Sequence, residues 1–165
     1  GQNRITSVGG PLPITAECHM QFDKLKADSP ACDCVDKANE NIGDRFIRKL
    51  TSNRFDEKTI LSYWEEEKRP LQLRCRDICD YKGVSVRMFV SPEELLDHGK
   101  KTKSFSPYRG RFSHYCMFRF KSGAGVLFHR EGERDKQHYN WFKSDAFTLE
   151  MLDMIEIKEY IDASP

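Results

Sequence analysis

The chain has 165 residues, of which 38% are hydrophobic, 32% charged and 12% aromatic, with a formal net charge of +1. That length suits one domain around one core, and the composition excludes disordered and low-complexity classes. No apolar run approaches the roughly 20 residues that cross a bilayer, so no membrane insertion is expected, and a charge near zero gives no long-range pull on nucleic acid.

The chain starts on Gly1, which reads as a processed or cut end with any signal peptide already gone. Residues 1–13, GQNRITSVGGPLP, hold Gly9-Gly10-Pro11 and a second proline, predicting a flexible arm ahead of a single domain spanning 14–165. Ser29 and Pro30 then form a helix start, serine as N-cap and proline in the first turn. Val35, Ala38, Ile42, Phe46 and Leu50 follow at spacings of three and four, predicting a core-facing helix to about Leu50. A second helix is expected from Asp56, with Ile60, Leu61 and Trp64 inward, a solvated charge run at Glu65–Arg69 and Pro70 as the stop.

Strand signals take over in the second half. GVSVRMFV, residues 83–90, alternates β-branched and polar positions and reads as a strand. SPEELLDHG, residues 91–99, reads as a short helix with Ser91 as cap, Pro92 in the first turn, Glu94 closing a capping box and Gly99 at the end. FSHYCMFRF from Phe112, the turn Ser122–Gly125 and VLFHRE predict an antiparallel hairpin. HYNWFKS, residues 138–144, is a third strand of that sheet, and MIEIKEYI, residues 154–161, a last one with helix as its rival. Helices first and strands later imply an α+β fold, the N-terminal helices packed on one face of a mostly antiparallel, curved β-sheet formed by the C-terminal half. The open face of such a sheet is the natural place for a ligand.

Six cysteines, Cys18, Cys32, Cys34, Cys75, Cys79 and Cys116, are an even number and many for a cytosolic domain of this size. Cys32 and Cys34, one residue apart, join each other poorly, so each is expected to reach elsewhere, with Cys75 and Cys79 as the best partners and the pairing itself left open. The same four thiols fit zinc-finger spacing poorly, and no C-x-x-C redox pair occurs. Disulfides place the protein in a secreted, periplasmic or cell-envelope setting; reduced structural cysteines in the cytoplasm are the alternative.

The strongest non-local pattern is electrostatic. From His98 to Arg130 there is no Asp or Glu, while eight Lys and Arg residues fall there, leaving about −7 for the rest of the chain. Aromatic residues interleave with them, and charge for phosphate with rings for stacking is what an anionic polymer needs. Lys100, Lys101, Lys103, Tyr108, Arg109 and Arg111 are the candidate ligand-binding residues of this segment. Its plainer reading is a solvated loop followed by strands whose rings fill the core. His114 and His129, on the two arms of the predicted hairpin and with Cys116 close by, are candidate acid–base or nucleophile partners provided that the register puts them on one face. His19 and His138 stand alone at no metal-ligand spacing. Phosphate loops, G-x-S-x-G, H-E-x-x-H and dinucleotide fingerprints are missing from the sequence.

These patterns favour a non-enzymatic secreted or cell-envelope binding module with a protein or small-molecule ligand, no cofactor and no metal. An intracellular protein gripping nucleic acid through residues 98–130 is one alternative; a small hydrolase using His114 and His129 is another.

Overall fold

A computed structural model describes residues 20–27, 33–66 and 75–161. In chain order these form α1 (Asp23–Ala27), a 3-10 turn (Val35–Lys37), β1 (Arg45–Leu50), a 3-10 turn (Glu57–Ile60), α2 (Cys75–Lys82), β2 (Val84–Met88) and α3 (Pro92–Thr102). A 3-10 turn (Ser106–Tyr108), β3 (His114–Phe120), β4 (Gly125–Phe128), β5 (His138–Lys143), a 3-10 turn (Leu149–Met151) and β6 (Leu152–Glu159) follow. The predicted 1–13 arm, Cys18, His19, the Ser29-Pro30 cap, Cys32, Pro70 and the Cys75 side chain lie outside the described residues.

The α+β class holds. All six strands form one antiparallel sheet in the order β4-β5-β2-β1-β3-β6. Both early helices are corrected. The long helix to Leu50 is replaced by a single 3-10 turn and a strand. The Asn41 side-chain oxygen accepts from the Gly43 and Asp44 amides (3.2 and 3.1 Å), a local turn that competes with helix just before residue 45. Beyond it β1 gains ladders on both sides, and Ile42, expected inward, is 54% exposed. Over its described residues the second expected helix is likewise broken into the turn Glu57–Ile60, held by a reciprocal cap between Asp56 and Thr59, and a separate turn in which the Glu66 amide donates to the Ser62 carbonyl at 3.0 Å.

The predicted hairpin is also replaced. The turn is there, with Gly123 and Gly125 at φ of 92° and 141°, values that favour glycine. Its two arms do not pair, however: β3 lies between β1 and β6, and β4 pairs with β5. In a flat sheet β3 and β4 would be roughly 19 Å apart. Because the Ala124 amide donates to the Lys121 carbonyl in a tight turn (3.2 Å), whose ends lie within about 7 Å, the sheet must be rolled. Rings confirm this: Trp141 of β5 meets Phe120 of β3 at 4.9 Å between centroids, across two intervening strands.

Rolling encloses the main core on the inner face, where Phe46, Val84, Val86, Cys116, Phe118, Phe120, Leu127 and Trp141 are buried together. The outer face is covered at two places. Under α3, Ile47 and Met117 pack with Leu95, Phe105 and Tyr160. At the other end, Val126 and Phe142 pack against Leu25 and the Cys34–Cys79 disulfide, which ties the Val35–Lys37 turn to α2. This bridge joins members of the two expected pairs and removes two of the four thiols that a zinc site would have used.

The Ser91 cap is observed, its hydroxyl accepting from the Glu94 amide at 3.1 Å. The Glu94 carboxylate does not close the box, because it is drawn to Arg87. Nor does α3 stop at Gly99. It runs to Thr102 and ends on Lys103 at φ 54°, and Gly99 is a buried contact where a Cβ would strike the Tyr160 ring. At the end of the chain strand wins over its helical rival, with an irregularity opposite Met117 and Arg119.

Candidate functional site: a polar cleft where two strands part

Between the two covered ends, the outer face of the central strands is polar. Alternation on β2 and β5 sends Ser85, Arg87, His138 and Asn140 to that side, with Ser85 opposite Asn140 and Arg87 opposite His138. β1 and β2 pair only at Phe46–Met88 and Ile47–Arg87. Beyond that point they diverge, and a cleft of about 850 Å³ opens in the fork, lined from β1, the segment 51–66 that follows it, α2, β2, α3, β5 and the loops before β3 and β5.

Three hydrogen-bonded groups meet there. The Arg87 side chain, only 8% exposed, forks between two carboxylates: both terminal nitrogens reach Glu94 at 2.6 Å, and Nε reaches Asp135 at 2.9 Å. Burial alone would lower the Arg87 pKa, but Glu94 and Asp135 outweigh it and raise it. For Asp135, burial pushes the carboxyl up, and hydrogen bonds from Arg87 and the Gln137 amide overcome this and hold it below its ordinary value. Removing one member of such a buried pair is strongly destabilising, because a charge is left unmatched.

Second, Lys49 Nζ lies 2.9 Å from His98 Nε2 and 3.1 Å from Ser104 Oγ. Burial and then the charges of Lys49 and Arg87 push His98 down to about 4, against the opposing pull of Asp135 and Glu94. The ring is therefore neutral at pH 7 and accepts from the ammonium. The 3.8 Å approach of Asp135 to Nδ1 is then a carboxylate beside a neutral ring rather than an ion pair. Lys49 itself is lowered to about 8 by burial and by Arg87, partly offset by Asp135.

Third, His138 bridges Ser85 and Glu133. Its Nε2 is 2.8 Å from Ser85 Oγ, and its Nδ1 is 3.1 Å from Glu133 Oε1. Arg48 reaches into the fork from the other strand, donating to the Ser85 carbonyl (2.7 Å) and the Thr59 carbonyl (2.9 Å). Burial lowers the Arg48 pKa, Tyr63 and Glu66 oppose that, and the nearby Arg111 adds to it. Neither Arg48 nor Lys49 makes an ion pair with a carboxylate among the described residues.

The residues singled out from sequence are dispersed. Of the six basic-segment candidates only Arg111 lines the cleft. Lys100, Lys101 and Lys103 are exposed on and after α3, with Lys101 paired to Asp97 at 3.0 Å. Tyr108 packs beneath α3, and Arg109 occupies the left-handed end of a 3-10 turn. The rings of the basic segment serve the core: Phe105 and Phe118 are fully buried, and Phe112 and Tyr115 pack with them or beside them. No stacking platform results.

His114 and His129 are not brought together by a hairpin. His114 stands between Leu50 and Glu159, its Nδ1 2.7 Å from Ser113 Oγ, while His129 Nδ1 bonds the His138 carbonyl (2.8 Å) beside Tyr139. Cys116 is buried in the inner core, and burial pushes its thiol up to about 12. A sulfur so protonated is no nucleophile.

What the sequence did show, without its meaning, was charge inside otherwise apolar strands: Arg48-Lys49 in FIRKL and Arg87 in VSVRMF. Such residues on a half-buried strand must find partners on neighbouring elements. Among the described residues no cluster of His, Cys, Asp and Glu could hold a metal ion, and no helix is long and apolar enough to cross a membrane. Comparison with protein-family models, with curated proteins and with solved structures gave no match.

Proposed function

We propose that this protein is a binding domain whose cleft at the β1–β2 fork takes a small anionic ligand. The observation that carries the reading is the pair Arg48 and Lys49, two half-buried cations lining the cleft that hydrogen-bond only to neutral acceptors among the described residues, with the exposed Arg111 close to Arg48. A desolvated cation held only by neutral acceptors gains most from an incoming anion. Two such groups at one fork, with a third cation close to Arg48, suit a carboxylate or phosphate ligand better than an apolar one. Nucleic acid stands behind this, because the aromatic rings that would stack on bases are buried or packed against the core clusters. The Cys34–Cys79 disulfide supports a secreted, periplasmic or cell-envelope location, where such bonds persist.

Calorimetric titration with citrate and with inorganic pyrophosphate tests the reading and separates the two anion chemistries. Arg48→Met and Lys49→Met are each expected to weaken binding by about tenfold or more, the loss of one charge-assisted hydrogen bond. Lys101→Met, outside the cleft, should leave binding unchanged. Binding that ignores Arg48 and Lys49, or that is absent for both anions, would reject it.

A further inference from the structure

The third group in the cleft has the layout of an acyl-transfer site. Ser85 and His138 come from adjacent strands, on one face and offset diagonally by two residues, a separation an imidazole can span. Glu133 arrives from the loop before β5. Its oxygen, 3.1 Å from Nδ1, fixes the tautomer: Nδ1 carries the proton and donates it to the carboxylate, so Nε2 presents its lone pair to the Ser85 hydroxyl 2.8 Å away. Nucleophile, base and orienting carboxylate are thus in hydrogen-bond sequence. Ser85 is exposed and lines the cleft, while His138 and Glu133 are 23% and 19% exposed, sheltered enough to hold their geometry. Arg48, bonded to the carbonyl of Ser85 itself, places a positive charge next to the nucleophile.

We infer that Ser85, His138 and Glu133 hydrolyse carboxylic esters that carry a negative charge, the charge being held by the cations of the same cleft. This rests on the anion-binding reading above. Ser85 Oγ attacks the ester carbonyl as its proton passes to His138 Nε2. The tetrahedral intermediate collapses when that proton moves to the departing alkoxide, so an alcohol leaves and an acyl-serine remains. Water then attacks the acyl carbon, again losing a proton to Nε2, and collapse returns the proton to Ser85 and releases the carboxylic acid. The step consumes one water and needs no oxidant, reductant or metal. Glu133 touches no reacting atom and is a positioning residue.

The probes are a fluorophosphonate, which forms an O–P bond to an activated serine with loss of fluoride, and two chromogenic esters, 4-nitrophenyl acetate and 4-nitrophenyl hydrogen glutarate. Peptide mapping should place the phosphonyl group on Ser85, Ser85→Ala should take none there, and His138→Gln should slow labelling by about 10²–10⁴-fold. Glu133→Gln should lower the rate and shift its pH profile, which a purely structural role would leave in place. The hydrogen glutarate ester should be cleaved faster than the acetate, and Lys49→Met should erase that preference. Wild-type protein unlabelled at Ser85, or His138→Gln labelled at the wild-type rate, overturns the catalytic assignment. Citrate binding to Ser85→Ala separates the two ideas: bound citrate with an inert Ser85 overturns this inference alone, and a labelled Ser85 with no citrate binding and no charge preference overturns the cleft reading and the substrate class.

Discussion

Replacing Cys34 and Cys79 together by alanine removes a cross-link between residues 45 apart in sequence. In the chain-entropy treatment, a closed loop of that length stabilises the fold by about 4 kcal/mol, because the reduced unfolded chain gains the freedom that the bond denied it. Lost packing adds to this, since the bridge is buried against Leu25, Val126 and Phe142. For a domain of this size each kcal/mol moves the melting point by about 2–4 °C, so the double variant should melt roughly 8–16 °C below the parent. Matched thermal and urea unfolding, followed by circular dichroism, measure the difference and show through the urea slope whether the unfolded state has also changed. Each single variant should cost nearly as much as the double, because the first removal already opens the loop. A loss under about 1 kcal/mol, or two single effects that add, would refute the account of this bridge as a structural cross-link.

His98 should give the fold an acid-sensitive component. Its folded pKa of about 4 lies below the ordinary value of 6.5, so between those pH values the unfolded chain binds a proton that the folded one refuses. Stability contributed by the neutral ring is complete above pH 6.5 and falls as pH drops toward 4, on the order of 2–3 kcal/mol relative to His98→Gln in urea unfolding across that range; parallel curves for the two proteins would refute it. Gly99→Ala drives a methyl into Tyr160 and should cost about 1–3 kcal/mol by the same assay, while no loss would deny the close approach of α3 to that ring. Cys116 should resist iodoacetamide in the folded protein at pH 8 and react once unfolded, as mapped by peptide mass spectrometry; native labelling would contradict its burial and raised pKa.

Local signals were legible where one segment decides its own shape. Ser91 and Pro92 start a helix, Val84–Met88 alternates into a strand, and glycines 123 and 125 make the turn, each from neighbouring residues alone. Residues 35–50 misled because apolar positions at spacings of three and four also occur in a turn followed by a strand, and the decision came from ladders to β2 and β3, far along the chain. The hairpin misled for a related reason: a turn shows that the chain reverses, not which strand lies alongside. The cleft was illegible on the same grounds, since Arg87 meets Asp135 at a separation of 48 residues, Lys49 meets His98 at 49 and Ser85 meets His138 at 53. Nothing local couples those positions. The basic segment was visible, but its rings went to the core, as its plainer reading had it.

The short ladder between β1 and β2 divides the sheet into two three-stranded leaves, β4-β5-β2 and β1-β3-β6, sewn along a seam two residue pairs long. Past the last stitch, Arg48 is the clasp: it belongs to one leaf and grips a carbonyl of the other. Loss of that one side chain would therefore leave the fork beyond the seam without this tie between its leaves.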